Sequence, residues 1–517
     1  MAVITRRRFV QAGACVVSVP SFLLACGSTP AKRAAIAPAT SPAVPHDPFL
    51  AWFGVDEAML RRVLAELTRR GADDAELYFQ HTRSNWIGYE DGIVNQAYAS
   101  VDLGVGLRVV IDGQVGYAYT EDLGEAAMTS AARAASAIAR GNAVVPPQSF
   151  TPVQHRQLYE VEVPWSDVGV DQKLPLVRRA AELAHARDPS VEKISVGWSD
   201  ADEHVLIADL RGNLVTDRRP SAGLSLYVTA RRGKAVQSNG SSLRGRHALA
   251  AYDDERLQKL AKEAVDRTLV LFAARKPPSG ELPVVLAAGD SGILLHEAIG
   301  HGMEADFNRK GVSLFADRLG KPVAPDFVTI VDDGQIGEQN GGLAVDDEGT
   351  PTERTVLVER GVLTNYLHDH ISAKHYARKS STGSARRESF RYPPMPRMRC
   401  TFMENGPHTR EEIIASVQRG IVAETFTNGE VDIGGGDFTF YVKNGWLIER
   451  GKITAPIRDC NIIGNGPEAL QRVTMAANDS RLDDSGGTCG KDGQSVPVSL
   501  GLPTVLVSRL TVGGSDV

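Results

Sequence analysis

Five positions separate His296 from His301 in the segment His296-Glu297-Ala298-Ile299-Gly300-His301, and this spacing constrains the backbone more than any other feature of the chain. Two imidazoles beside a carboxylate can hold Zn²⁺ and activate water there. On a regular α-helix, at roughly 100° per residue, side chains five apart point about 140° away from each other. The familiar H-E-x-x-H spacing avoids this, because residues four apart share one helical face. If both imidazoles serve one ion, the helix must widen or end inside the motif. Gly300 and Gly302 flank the second histidine, and glycine suits a helix end or a π-bulge.

A zinc site also needs a third protein donor. Glu304 and Asp306 lie close in sequence, and His368, His370 and His375 form a loose cluster downstream. Cys489 stands in Gly486-Gly487-Thr488-Cys489-Gly490-Lys491-Asp492-Gly493-Gln494, where the glycines let the backbone approach another element. Of the chain's five cysteines, Cys15 lies in an N-terminal apolar segment and Cys26 at its end, leaving Cys400, Cys460 and Cys489. Three thiols cannot all be paired into disulfides. Thiolate binds zinc well, so on donor chemistry Cys489 ranks first, against its reading as a plain turn thiol. Gly490-Lys491 is not a phosphate loop: the upstream glycine is missing, and Asp492 stands where Ser or Thr is needed.

The N-terminus points to export. Thr5-Arg6-Arg7-Arg8-Phe9-Val10 places an arginine pair before an apolar stretch from Ala12 to Ala25, closing on Leu23-Leu24-Ala25-Cys26. This is similar to a twin-arginine signal followed by a lipoprotein cleavage box, in which Cys26 becomes the lipidated N-terminus. Residues 1–26 are thus expected to be a signal and 27–50 a Pro/Ala-rich tether. The expected location is the periplasm or cell envelope, with membrane contact only through lipid on Cys26. The competing reading is a cytoplasmic chain with a chance basic-apolar start. No later run reaches the ~18 apolar residues that span a bilayer, and a net charge of −6 offers no footprint for nucleic acid.

At 517 residues, two or three domains are expected. Leu60, Val63, Leu64 and Leu67 follow helical spacing between Asp56 and Gly71. Strand-like runs follow at 76–81, 93–97, 104–111 and 115–119, with Asp112-Gly113 as a hairpin turn. Residues 125–140 then read as a helix. The order recurs with a helix at 174–186, strands at 193–198, 205–210 and 224–230, and a helix at 254–274. Beyond Pro277-Pro278-Ser279-Gly280 the chain is rich in strands and glycine. Asp290 or Ser291 is placed to cap the helix that carries the His-Glu pair, and Thr409 to cap a helix over 410–418. The fold class is α+β, with an N-terminal half of two helix–strands–helix subdomains (51–145 and 165–276). A C-terminal strand-rich domain (281–517) carries the metal-site helix.

The chain resembles the TldD-like branch of the TldD/PmbA (TldE) metallopeptidase family. The motifs are His296 to Gly302, Asp306-Phe307-Asn308-Arg309-Lys310-Gly311, Asp346-Asp347-Glu348-Gly349-Thr350-Pro351, Arg386-Arg387-Glu388-Ser389, Pro394-Met395-Pro396-Arg397-Met398 and Cys489 to Ser495. The Leu510-Thr511-Val512-Gly513-Gly514 end and Gly104-Val105-Gly106-Leu107-Arg108-Val109 are family-like as well. The resemblance implies a zinc-dependent peptidase in which His296, His301 and Cys489 bind the metal. Glu297 would be the general base that activates water there for attack on the scissile carbonyl.

It further implies hydrolysis of unfolded or flexible peptides in an enclosed dimeric cleft. The dimer would be with a second copy or with a PmbA/TldE-like chain, a branch that lacks the metal motif. Arg386, Arg387 and Arg397 are candidate contacts to peptide carbonyls or a carboxylate. Asp346, Asp347 and Glu348 are candidates for orienting a ligand histidine, or form an ordinary acidic turn. The chain departs from the better-known, cytoplasmic members in its export signal and in Gly434-Gly435-Gly436-Asp437, which bears on the substrate groove. The alternative function is a non-catalytic, envelope-anchored binding or scaffolding subunit of a TldD/PmbA-type complex.

Overall fold

The computed structural model describes residues 48–137, 144–432 and 434–514. The signal, with Cys15 and Cys26, lies outside these residues, as does the tether up to residue 47. The tether's last expected residues already belong to a helix, Pro48–Phe53, which buries Leu50 and Phe53. No helix among the described residues is long and apolar enough to cross a membrane.

The next helix, Glu57–Leu67, is capped by Asp56, whose side chain accepts from the Met59 N–H, and it buries Leu60, Val63, Leu64 and Leu67. Three antiparallel strands follow, Asp74–Glu90, Ile93–Ile111 and Gln114–Thr120. Asp112 (φ 49°) and Gly113 (φ 75°) turn the second hairpin in the left-handed region that a two-residue loop of this type demands. Helix Glu125–Ser136 covers them. The second run repeats the plan. Helix Val170–His185 is followed by strands Val191–Asp209, Asn213–Arg232 and Ala235–Gly245, then by helix Asp254–Leu269.

The two runs share one seven-stranded sheet, because Asp74–Glu90 also pairs antiparallel with Val191–Asp209, from Glu76 opposite Asp209 to Glu90 opposite Ser195. The strands are longer than their sequence pattern suggests. Residues 93–97 and 104–111 are one strand of 19 residues whose first nine positions are exposed on both faces. Nothing there is buried to impose alternation.

In the C-terminal half, Arg419–Val431 pairs with Gly280–Leu286, and that strand with Val505–Gly514, then Cys460–Asn465, then Asp437–Glu449. Asp437–Glu449 pairs back to Arg419–Val431, so five strands close into a ring. A second sheet runs Val362–Leu363, Arg354–Glu359, Ile330–Asp333, Cys400–Met403, Gln494–Leu502. Between the ring and this sheet lies the main core, which includes Leu294, Leu295, Ala298, Ile299 and Met303 of the metal-site helix. Helix Arg410–Ser416 carries the expected Thr409 cap as a full capping box with Glu412.

Buried charges join the halves. Arg108 donates to both oxygens of Glu76 (2.8 and 2.7 Å) and pairs with Glu348. Arg387 reaches Glu76 at 2.8 Å and lies 4.1 Å over the Tyr78 ring, and Arg219 pairs with Asp347 at 2.6 Å. At the edge of this network His370 Nδ1 meets Asp74 at 2.9 Å. Burial opposes a charged imidazole, but Glu348 and Asp74 outweigh it and raise His370 to about 9. The stabilisation is therefore complete below the unfolded value of about 6.5 and is lost as pH rises through about 9. Melting temperatures of wild type and His370→Gln should differ most at pH 6 and converge above pH 9. A gap that stays constant would show that the pair carries no linked proton.

Candidate metal centre

The backbone resolves the five-residue spacing in the way the motif requires. An α-helical turn, Gly292–Leu295, gives way to a π-helical turn over His296–Gly300, in which the His301 N–H bonds back to the His296 carbonyl. A 3₁₀ turn, His301–Met303, follows. The π-turn adds one residue per turn and swings the second imidazole back beside the first. The two rings lie 5.1 Å apart between centroids, at 82° to each other. Gly300 allows this packing, since a Cβ there would stand 2.1 Å from Met398 Sδ. The expected side-chain cap is absent: Ser291 Oγ donates to the Ala423 carbonyl, and Asp290 pairs with Arg267.

Cys489 arrives on strand Gly487–Lys491, which forms a hairpin with Gln494–Leu502 through Asp492 (φ 49°) and Gly493 (φ 75°). Its Sγ lies 3.3 Å from His301 Nε2. One donor atom from each of His296, His301 and Cys489 falls within 4.8 Å of the other two, and all three residues are buried. Among the described residues neither ring nitrogen of His296 has a hydrogen-bond partner. A buried imidazole left unpaired in this way is costly unless a ligand completes it.

The thiols separate by environment. Burial raises all three, pushing Cys460 up to about 12 and Cys400 still higher. At Cys489 the facing imidazoles of His296 and His301 overcome burial and bring the thiol down to about 4. A thiolate is the form that binds metal. The donor set and the orphaned imidazole therefore fit a zinc ion. Glu297 stands at the less covered side, with its side chain 25% exposed and its Oε2 3.7 Å from His301 Nε2.

The orienting acid is Glu304, which the sequence offered only as a ligand candidate. Its Oε2 accepts from His301 Nδ1 at 2.9 Å, which turns Nε2 toward Cys489. Lys491 Nζ holds the same oxygen at 3.0 Å, and also Asp306 (2.8 Å) and the Pro396 carbonyl. Burial would raise the Glu304 carboxyl, but Lys491 and His301 lower it to about 2. Only the i, i+3 spacing from His301 could have signalled this role. Glu304→Gln is expected to weaken zinc binding about 10–100-fold, as read by chelator competition. Unchanged affinity would remove Glu304 from the site.

The other candidates lie elsewhere. Asp347 and Glu348 belong to the interdomain charge network, and Asp346 accepts backbone N–H groups of its own turn, so none of these acids is bonded to His296 or His301. His370 joins Asp74 and Thr350, His368 packs on Tyr366 and Tyr376, and His375 on Tyr376. The structure places Arg386, Arg387 and Arg397 in buried positions. Arg397 donates to the Cys489 and Gln494 carbonyls and so holds the strand that carries Cys489, while Arg387 is taken up by Glu76 and the Asp347 carbonyl. Gly436 packs at Leu314 beside Glu297, so the atypical glycine segment does border the site.

Two imidazoles and a thiolate with a partly exposed carboxylate beside one of them are the residue types of a metal-dependent hydrolase. The chain belongs to the TldD/PmbA metallopeptidase family: models of PmbA/TldA metallopeptidase domain 1, the central domain and the C-terminal domain match residues 75–139, 163–272 and 279–514. It is 39% identical over 459 residues to a metalloprotease TldD homolog of Haemophilus influenzae, covering 87% of this chain and 95% of the relative. It is 27% identical to a zinc metalloprotease TldD homolog of Saccharolobus solfataricus, covering 86% of this chain and 97% of that one. Among solved structures it shares the fold of TldE from Thermococcus kodakarensis, with a TM-score of 0.68 at 18% identity, covering 88% of this chain and all of the other.

Proposed function

We propose that this chain is a zinc-dependent peptidase acting on unfolded or flexible peptides. The observation that carries the reading is the buried His296–His301–Cys489 cluster, with one donor atom of each within 4.8 Å and the Glu297 carboxylate 3.7 Å from His301 Nε2. His296, His301 and Cys489 would hold the ion, and three protein donors leave a position for substrate. A zinc ion there supplies Lewis acidity, acidifying water and polarising a scissile carbonyl. Glu297 accepts a proton as the nucleophile forms and returns it to the departing amine. Glu304 keeps His301 in the tautomer that presents Nε2, and Lys491 holds Glu304 in place. Because the centre is buried and Glu297 only partly exposed, an extended chain suits it better than a folded one.

A second chain of this fold, either another copy or a TldE-like protein, would enclose the cleft. The likeness to TldE supports this, as does the outer part of strand Ile93–Ile111, where Ile93 (69%), Tyr98 (60%) and Val101 (64%) are exposed. The arginine pair and apolar run before Cys26 support export to the cell envelope. Metal analysis of the purified chain should find about one zinc per chain, as a three-donor catalytic site implies. Chelation should abolish cleavage of flexible peptides, and one equivalent of zinc should restore it, with and without the partner chain. Cleavage that survives complete metal removal would sink the reading.

A further inference from the structure

A cavity of about 360 Å³ between the N-terminal sheet and the C-terminal half is walled by five arginines, and three of them, the exposed Arg244 and the buried Arg246 and Arg386, pair with no acid among the described residues. Arg219 is matched by Asp217, Glu203 and Asp347, and Arg387 by Glu76. Arg246 and Arg386 differ. They are buried, at 6% and 3% exposure, and neither pairs with a carboxylate among the described residues. Arg386 Nη1 donates to the carbonyls of Met398 (3.0 Å) and Pro497, and its Nε and Nη2 meet no protein acceptor among those residues. Arg246 donates from Nε to Gly342 and from Nη1 to Pro220, rests 5.2 Å from the Tyr159 ring centre, and its Nη2 meets no protein acceptor among the described residues. Burial, together with the charges of Arg246, Arg397 and Arg219, pulls Arg386 down to about 10 against the opposing Asp347. Of the four lining acids, Glu203 and Asp347 are taken up by Arg219 and Asp200 by Lys173, while Glu388 is exposed and accepts from the Ser495 N–H.

This cavity and the metal centre lie on opposite faces of one hairpin. Cys489 and Val496 are register partners, and both are buried. Thr488 and Pro497, one step along, are exposed on the other face, and Pro497 lines the cavity.

We propose that the cavity binds a peptide carboxylate, with Arg386 and Arg246 as its donors. The carboxylate is either the C-terminal group of the substrate or an acidic side chain. The guanidinium fork suits carboxylate geometry, and the volume lies at the small end of ligand pockets, about 300–1,000 Å³. The proposal rests on the peptidase reading for the identity of the ligand, but its test reads binding alone.

Full-length, zinc-loaded Glu297→Gln protein is titrated by fluorescence anisotropy with three dye-labelled hexapeptides of Ala, Ser and Val. One has a free C-terminus, one is amidated, and one is amidated with a Glu at the penultimate position. The free acid or the Glu peptide should bind about tenfold or more tightly than the plain amide, as a charge-assisted pair predicts. Whichever binds tightly identifies the source of the carboxylate. Arg386→Gln and Arg246→Gln should each erase the preference while leaving plain-amide affinity in place, and Arg386→Lys should keep part of it. If Arg386→Gln does not fold, Arg246→Gln and the peptide set still decide. Equal affinity for all three peptides, no binding of any, or a preference that survives the substitutions overturns the proposal. A preference that follows the arginines in a chain that cleaves nothing when zinc-loaded would sink the peptidase reading and leave the carboxylate site standing.

Discussion

Glu297→Gln should keep zinc at the wild-type level and lower peptide kcat/KM by about 10²–10⁴-fold, the range a general base contributes. The two effects separate because Glu297 stands outside the donor cluster. Its carboxylate lies 3.7 Å from His301 Nε2, whereas the imidazoles and the thiolate pack against one another. The amide is nearly the same size, so the π-turn and the packing at Gly300 stay as they are. Only the ability to take a proton is lost. Metal analysis and a fluorogenic-peptide assay on the same preparation decide the matter. Near-normal cleavage in this variant would assign the base elsewhere, and loss of zinc would make Glu297 a ligand.

Arg108→Met should destabilise the chain by about 3–5 kcal/mol, the cost of leaving buried acids without their cation. Arg108 is fully buried, donates to both oxygens of Glu76, and also pairs with Glu348. Methionine fills much of the volume, so the loss is chiefly electrostatic. Arg387 still reaches Glu76, whereas among the described residues Glu348 keeps only the His370 N–H and the more distant His370 ring. The urea midpoint should fall, and a further Glu348→Gln change should recover part of the loss. A shift below about 1 kcal/mol would place this interface among those where ion pairs contribute little.

Much of the frame is legible in the sequence because it rests on local rules. Leu60, Val63, Leu64 and Leu67 mark a helix by spacing, and Asp112-Gly113 marks a turn by its backbone needs. The strand lengths were not legible, because exposed residues such as those at 93–101 carry no alternation to read. The joining of the two N-terminal runs into one sheet depends on pairing between residues over a hundred positions apart, which leaves no mark in either segment. At the site, donor chemistry ranked Cys489 first among several third donors, and it was the family resemblance that implied the set His296, His301 and Cys489. The orientation of Arg386, Arg387 and Arg397 toward the interior was hidden, since an arginine on a loop has the same local pattern whether it is solvated or buried.

The π-turn at His296–Gly300 also amounts to a single-codon insertion into an otherwise ordinary helix. Deleting Ile299 would leave His-Glu-Ala-Gly-His, the i, i+4 arrangement of a common zincin, on a straight α-helix. Because the wider turn already absorbs the extra residue, the helix beyond the deletion would keep its facing, and the second histidine would still stand beside the first. A reading frame one triplet shorter thus spells a more familiar motif, and the widened turn is what lets the longer one present both imidazoles on the same face.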